Sequence, residues 1–302
     1  MRLCNITLAL LIIAIIIIVL YIYFKYRHYK NILGNLGNSI ETWFSAISYP
    51  STMPVITNNY NFNMQKLGLS AVMSSINIHQ RTDPLLPPYL KLVQTLPDDY
   101  GVVLKPSYNN NTTTAQNIDY IVAFRGTLSH EDILSDLKWV QVEYYGLGHV
   151  HQGFASIATN VYPSLYFPPN SNILITGHSL GASVAELIAT RLAKEKHLKI
   201  YLYITARPRT GDLTWDTNVK RYVDRYIVIN TADDIPQLPL PTMSKDKIGY
   251  GYISPPTDRT ITFDFQTGIV GNNHNPLTYH YAMYGGQKPF VTMWYQPIKF
   301  VH

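Results

Sequence analysis

The sequence has little cysteine: Cys4 is the only one in 302 residues, so an intramolecular disulfide is impossible. Internal repeats and long low-complexity tracts are also absent, which argues against solenoid and fibrous architectures. Hydrophobic residues make up 46% of the chain, enough for the packed core of one large domain or two small ones. The composition therefore indicates a globular protein that folds without disulfides.

Most of the chain lacks a net positive charge. The formal net charge is +5, from 24 Lys and Arg against 19 Asp and Glu. Four of the basic residues lie within residues 1–40, which contain no acid, so residues 41–302 carry 20 basic against 19 acidic side chains. A basic groove for phosphates is therefore not expected, and we predict no nucleic-acid partner.

Residues 6–24 are an uncharged run of 19 residues dominated by Ile and Leu. At 1.5 Å per residue, a helix of this length nearly matches the ~30 Å hydrocarbon core of a bilayer. Tyrosines and basic residues follow the run, and a small-residue cleavage site is not evident. We therefore expect a retained single-pass membrane anchor over residues 1–30, a Gly/Asn-rich linker over 31–40 and one globular domain over 41–302. The basic residues after the run favour the cytoplasmic side for this domain.

Helical and strand patterns alternate beyond the linker. Helical patterns cover residues 41–48 and 64–78. Strand patterns occur at residues 89–96, 102–105, 119–124, 172–176, 200–205 and 222–230. This alternation predicts an α/β fold with a mostly parallel central sheet covered by helices on both faces. Ligands of such sheets bind at the carboxyl ends of the strands.

Ser179 lies in the segment Gly-His-Ser-Leu-Gly of residues 177–181, between an apolar strand pattern and a helical pattern with a 3.6-residue period. A nucleophile elbow requires this order of strand, sharp turn and helix, because the turn projects the serine hydroxyl from the edge of the sheet. Glycines two residues to either side leave room for the crossing backbone. The pattern predicts that Ser179 is a nucleophile.

A serine hydroxyl becomes a good nucleophile only when a base takes its proton and a third group orients that base. In a hydrolase sheet the chain order is nucleophile, acid, histidine. His274 and His280 are the candidate bases, since His302 ends the sequence and is expected to fray. Asp233 and Asp234 follow a predicted strand and precede a Pro-stiffened loop, so we expect one of them to orient the base while the other is solvated.

Two backbone donors are expected to stabilise the negative charge that develops during acyl transfer. One is the N–H of Leu180, directly after the nucleophile. The other should come from a loop after an earlier strand, and residues 125–127 follow the strand pattern 119–124. Thr127 is the candidate there, because it offers both a backbone N–H and a hydroxyl.

Other polar residues are interpreted structurally. His151 is expected to be a hydrogen-bonded structural histidine, and His178 to serve packing or hydrogen bonding. The acidic cluster within residues 130–136 lacks a closed set of metal ligands and is interpreted as a solvated helical face, so no metal or organic cofactor is predicted. Apolar residues recur on one helical face within residues 128–142, a pattern that fits a mobile lid and a core-packed helix equally well.

Six ordered segments resemble one protein family. They are residues 122–127, 132–137, 150–154, 177–182, 208–212 and 233–239. Together they resemble the class 3 lipases, the fungal triacylglycerol lipase type of the α/β-hydrolase superfamily, over roughly residues 45–290. The resemblance implies an α/β-hydrolase fold and assigns the site position by position. The assigned residues are Ser179 as nucleophile, Asp233 as acid, His274 as base, and Thr127 and Leu180 as oxyanion donors.

The same resemblance implies a serine esterase or lipase that hydrolyses acylglycerol or phospholipid esters through an acyl-enzyme, with a lipid ester as substrate. Together with the anchor expected from residues 6–24, this makes the expected enzyme membrane-anchored, with the bilayer as its partner. Two other functions fit the same residues: an inactive lipase-like module that binds lipid or a partner protein, and a thioesterase with the same triad. Ala206 stands where the family usually has glycine. We expect this departure to reshape a strand end without affecting the chemistry.

Overall fold

The computed structural model describes residues 62–80, 86–87, 89–106, 118–126, 140–196, 198–239, 251–253, 260–265 and 270–283. All of them belong to one compact unit, residues 49–302. The predicted anchor, the linker, the start of the 41–302 domain, Thr127 and most of the predicted lid segment lie outside the described residues. The linker, the domain start, the Thr127 role and the lid therefore stay predictions from the sequence.

The predicted location in a membrane, with one spanning helix and a cytoplasmic domain, is corrected by the structure. Within the described ranges, every helix is too short or too polar to cross a bilayer. The longest of them has 19 residues but carries buried polar side chains such as Gln65 and Ser75. The 6–24 run that suggested the anchor lies outside the described residues.

A seven-stranded sheet organises the described residues, in the order β1-β2-β3-β6-β7-β8-β9. Its strands are β1 Leu90–Thr95, β2 Gly101–Pro106, β3 Tyr120–Phe124, β6 Asn172–His178, β7 Lys199–Thr205, β8 Asp224–Asn230 and β9 Thr260–Phe263. The pairs from β3 to β9 are parallel, and β1 and β2 add an antiparallel edge. The predicted, mostly parallel α/β sheet is confirmed.

Helices cover both faces of this sheet. They are α1 Phe62–Gln80, α2 Gln152–Val161, α3 Leu180–Glu195, α4 Leu213–Tyr222, α5 Val270–Asn273 and α6 Pro276–Met283. Side chains alternate along β6, so Thr176 faces Gly68 of α1, whereas Ile173 and Ile175 join the apolar core beneath α2 and α3. Burial of each such large apolar side chain stabilises the fold by about 1.5–3 kcal/mol. The central strand is thus fixed from both sides, which holds its carboxyl end in place.

A short ribbon was not predicted from the sequence. Strands β4 Gln141–Glu143 and β5 His149–His151 pair antiparallel, outside the main sheet. A bridge between Val150 and Gly211, and a hydrogen bond from the His151 N–H to the Thr210 carbonyl, connect the ribbon to the segment after β7. Strands of three residues are too short to show an alternating pattern, which explains why they were missed.

Candidate active site

Ser179 occupies a single-residue turn between β6 and α3, with φ 57° and ψ −129°. A positive φ is unfavourable for a residue with a Cβ, at a cost of order 1–3 kcal/mol, and persists where surrounding contacts hold it. Here the Ser179 N–H donates to the Thr205 carbonyl at 3.1 Å, and the Ser179 carbonyl accepts from the Ala182 N–H at 2.9 Å. The turn aims the side chain away from the sheet edge, as an elbow requires.

The two glycines that flank Ser179 are required by close backbone contacts. A Cβ at Gly177 would lie 2.2 Å from the Gly181 carbonyl oxygen, and one at Gly181 would lie 2.4 Å from the Arg125 carbonyl oxygen. Backbone atoms cannot move away from such contacts as a flexible side chain could. Glycine at both positions therefore lets the backbone segments approach each other this closely, and α3 packs directly against the ends of β3 and β6.

His274 lies between Ser179 and Asp233. Its Nε2 is 2.7 Å from Ser179 Oγ, and its Nδ1 is 2.7 Å from Asp233 Oδ2. A carboxylate only accepts hydrogen bonds, so we assign the ring proton to Nδ1, which leaves the Nε2 lone pair to accept the Ser179 hydroxyl proton. The ring is therefore arranged to take a proton from the serine.

The two adjacent aspartates have different environments. Asp233 is 2% exposed, whereas Asp234 is exposed. Besides His274, Asp233 accepts a hydrogen bond on Oδ1 from the Ile235 N–H at 3.0 Å, and its own N–H donates to the Asn230 carbonyl at 3.0 Å. One carboxylate is thus buried and oriented while its neighbour is solvated, which is the division expected from the sequence.

Tyr279, in α6, is a member of the site that sequence reasoning left without a role. Its hydroxyl donates to Asp233 Oδ2 at 2.6 Å and accepts from the Asn230 N–H at 3.0 Å. Burial, reinforced by the charge of Asp233, raises the pKa of this phenol well above its ordinary value, so it stays a donor. The contact joins residues 46 positions apart, so local sequence patterns did not reveal it.

His178, directly before the nucleophile, makes hydrogen bonds as expected. Its Nε2 lies 2.7 Å from the His274 carbonyl oxygen, and its Nδ1 lies 2.9 Å from Thr205 Oγ1. The ring is 2% exposed and contacts the Tyr279 ring edge-on, with centroids 5.2 Å apart. The His178 side chain therefore contacts the segment that carries His274.

The other histidines considered as candidates have different surroundings. His280 is buried in α6, where desolvation, with a smaller contribution from Lys66, lowers its pKa to about 3. His151 is the N-cap residue of α2 and accepts a hydrogen bond on Nδ1 from the Gly153 N–H at 3.1 Å, and burial lowers its pKa to about 4. The structure therefore brings His274 against Ser179, and gives His151 a structural contact.

The expected oxyanion donors are partly within the described residues. Leu180 is the first residue of α3, where a backbone N–H has no partner within the helix. Gly126 lies beside the nucleophile, since a Cβ there would be 3.2 Å from Ser179 Cβ and 3.1 Å from the His178 carbonyl oxygen. The chain therefore passes Ser179 immediately before it reaches Thr127, which itself lies outside the described residues.

A buried ionic cluster lies along α3, behind the elbow. Glu186 accepts hydrogen bonds from Arg207 at 2.7 Å, Arg225 at 2.9 Å and Trp215 Nε1 at 2.8 Å. Burial alone would raise the pKa of Glu186, but the two guanidinium groups outweigh it and lower the pKa.

The residue before Arg207 is Ala206, with φ 53°, a conformation that glycine adopts more easily. The departure from glycine therefore places a Cβ on a backbone of positive φ at this strand end.

Metal ligation is not indicated by the described side chains. In the ranges given above, histidine, cysteine, aspartate and glutamate nowhere form a group of three or more that could hold an ion. The acidic cluster within residues 130–136 lies outside those ranges.

Comparisons with known proteins point in one direction. Residues 121–243 match the model of the family described as Lipase (class 3). The chain is 30% identical over 178 residues to a lipase of Rhizomucor miehei, a match that covers 53% of this chain and 49% of the relative. It is 36% identical over 87 residues to the secreted mono- and diacylglycerol lipase A of Penicillium cyclopium, covering 29% of this chain and 27% of the relative. The chain thus spans about half or less of the relatives it matches.

A solved structure shares the fold. The crystal structure of a lipase from Rhizopus microsporus var. chinensis superposes with a TM-score of 0.53 at 22% identity. The superposition covers 80% of this chain and 92% of that one. At this identity the likeness establishes the α/β-hydrolase fold alone.

Proposed function

Because the chain belongs to the class 3 lipase family, we propose that it is a serine hydrolase that cleaves carboxylic esters of acylglycerols or phospholipids through an acyl-enzyme. The observation that supports this most directly is the contact of one imidazole with both Ser179 and Asp233, at 2.7 Å each. The names of the relatives support acylglycerols as the first substrates to test.

The proposed reaction begins with proton transfer. His274 Nε2 takes the proton of the Ser179 hydroxyl while Oγ attacks the ester carbonyl carbon. The imidazolium that forms is stabilised by the Asp233 carboxylate at Nδ1. The carbonyl oxygen becomes an oxyanion, which the N–H of Leu180 and the donors of Thr127 stabilise in this proposal.

The second half regenerates the enzyme. The tetrahedral intermediate collapses, the bond from carbon to the alcohol oxygen breaks, and His274 gives its proton to the departing alcohol. Water then donates a proton to His274 while its oxygen attacks the acyl carbon, and a second collapse releases the fatty acid and returns the proton to Ser179. Every proton of the proposed cycle is passed among these side chains, the substrate and water, so none of its steps calls on a cofactor.

A substrate panel tests this function. The full chain and its Ser179→Ala variant are assayed on a triglyceride, a diglyceride, a monoglyceride, a phosphatidylcholine and an acyl thioester, with released fatty acid or thiol as readout. We expect release from at least one oxygen ester, and a loss of about 10³-fold or more in the variant.

Two other outcomes would replace the proposal. Hydrolysis of the thioester alone would identify a thioesterase. A folded wild-type protein that cleaves no substrate would favour a binding module. Circular dichroism of both variants establishes that they are folded, so that inactivity is not mistaken for unfolding.

A further inference from the structure

Two consecutive backbone carbonyls beside the base are held by side chains from two different strands. Asn230, the last residue of β8, donates from Nδ2 to the Asn273 carbonyl at 3.1 Å. His178, the last residue of β6, contacts the His274 carbonyl through Nε2 at 2.7 Å. Strand β8 leads to Asp233 and β6 leads to Ser179. The backbone of the base is therefore attached separately to the strand of each of its partners.

The partners of His178 determine which nitrogen carries its proton. The His274 carbonyl can only accept, so Nε2 must carry a hydrogen in order to donate to it. In the neutral ring Nδ1 is then an acceptor, and the Thr205 hydroxyl can donate to it at 2.9 Å, a better distance than the 3.5 Å to the Gly177 carbonyl oxygen. Thr205 ends β7 and is 1% exposed. A chain of hydrogen bonds thus runs from β7 through His178 to the loop of the base.

The surroundings of His178 leave little room for another orientation. Its ring centroid lies 5.0 Å from that of His274 and 5.2 Å from that of Tyr279, and both neighbouring rings are buried. On the side of β3, a Cβ at Gly126 would already be 3.7 Å from His178 Cδ2. The imidazole is consequently held as a rigid connection between the nucleophile strand and the loop.

We propose that His178 is a positioning residue, which keeps His274 Nε2 at hydrogen-bond distance from Ser179 by holding the His274 carbonyl, while Thr205 bonds Nδ1 and so holds the His178 ring in place. This inference rests on the proposed serine hydrolase function. In this account His178 forms no hydrogen bond with a reacting atom: it holds the His274 carbonyl, and its ring packs against the His274 ring. A misplacement of about 1 Å between reacting groups can lower a rate about a hundredfold.

Four variants separate positioning from packing. His178→Leu removes the donor, while His178→Gln retains an amide N–H at about the distance of Nε2 from the backbone. Thr205→Val removes the hydroxyl that bonds His178 Nδ1, and Thr205→Ser retains it. The measurements are kcat and KM on a soluble short-chain ester, the rate of fluorophosphonate labelling of Ser179, and the midpoint of thermal unfolding.

For His178→Leu we expect kcat and the labelling rate to fall by about tenfold to a hundredfold, with KM within about twofold of wild type. His178→Gln should recover most of this loss, and Thr205→Ser should exceed Thr205→Val in kcat. If His178→Leu is not folded, the comparison of the two Thr205 variants provides the test.

Equal kcat values for His178→Leu and wild type would overturn the inference. Leu and Gln variants that lose kcat and thermal stability to the same extent would also overturn it, because a packing role alone predicts that result. Equal kcat for the two Thr205 variants would remove Thr205 from the account, and would overturn the inference where His178→Leu does not fold. A wild-type protein that is folded but neither cleaves esters nor reacts with the fluorophosphonate would count against the proposed function instead. Asp234→Asn, a change at an exposed side chain, should match wild type in every assay.

Discussion

The hydroxyl of Tyr279 and the imidazole of His274 share one oxygen atom of Asp233. Tyr279 donates to Oδ2 at 2.6 Å, and His274 Nδ1 reaches the same atom at 2.7 Å. The other carboxylate oxygen accepts from the Ile235 N–H. Three donors thus determine the rotamer of a buried carboxylate, and the orientation of the base depends on that rotamer.

Tyr279→Phe should lower kcat about tenfold with little change in KM. The phenyl ring keeps its packing against Phe263 and His178. The Asp233 carboxylate, however, loses a charge-assisted hydrogen bond worth about 1.5–3 kcal/mol. Steady-state kinetics on a soluble ester measure the effect. As a control, Tyr201→Phe removes a hydroxyl near the amino end of β7, away from the site, and should leave kcat unchanged. A kcat for Tyr279→Phe within twofold of wild type would contradict the role.

Asp233→Asn and Asp234→Asn should behave differently despite their adjacency. In the first variant the amide no longer stabilises the imidazolium or selects the Nδ1–H tautomer, so we expect kcat to fall by roughly 10⁴. In the second, an exposed side chain is changed and the activity should remain within twofold of wild type. Comparable losses in the two variants would show that the acid has been assigned to the wrong residue.

The free energy of unfolding should fall as the pH drops from about 6.5 to 4, because buried His151 resists protonation in the folded protein. Burial lowers its pKa in the folded protein to about 4, whereas in the unfolded chain it titrates near 6.5. The unfolded state therefore binds a proton first, and folding loses about 1.4 kcal/mol per pH unit between about pH 6.5 and 4 from this group. Denaturant titrations at pH 7, 6 and 5 measure the slope.

His151→Asn is the matched variant for this prediction. An asparagine oxygen can accept the hydrogen bond of the Gly153 N–H that Nδ1 accepts now, but it does not titrate. The variant should lose less stability between pH 6 and 5 than wild type, by about 1.4 kcal/mol. Some slope should remain, because His280 also has a lowered pKa. Identical slopes for the two proteins would contradict the assignment.

Glu186→Gln should be strongly destabilising. The change keeps the shape of the side chain but leaves Arg207 and Arg225 buried with less compensating charge, at an expected cost of about 3–5 kcal/mol in the free energy of unfolding. Glu195→Gln, on the same helix, breaks a pair with Arg191 near the surface and should cost less than about 1 kcal/mol. Urea unfolding followed by tryptophan fluorescence compares them, and similar costs for both would refute the buried cluster as a major contributor.

The elbow could be predicted from the sequence because its signals are local. A strand pattern changes to a helical period within five residues at Ser179, and the flanking glycines match close contacts that the structure contains. The same holds for the main strands, whose apolar runs are long enough to show a pattern. Strand β9 has only four residues, too few for its pattern to be recognised in the sequence.

The rest of the site depends on contacts between distant segments. Chain order left both His274 and His280 as candidates, since two buried histidines six residues apart differ only in what the fold brings next to them. The contacts of His178 with the His274 carbonyl and of Tyr279 with Asp233 join residues 96 and 46 positions apart. Patterns of residue type do not reveal such pairs, because either side chain fits an ordinary helix or strand position.

Covalent labelling of the nucleophile tests the central claim most directly. The full-length protein is incubated with a fluorophosphonate, and the adduct is located by intact mass and peptide mapping, for wild type and for His274→Ala. We expect one phosphonyl group per chain, on Ser179, and a labelling rate about 10³-fold or more lower in the variant. A folded wild-type protein that remains unlabelled at Ser179, or labelling that is equally fast without His274, would contradict the account.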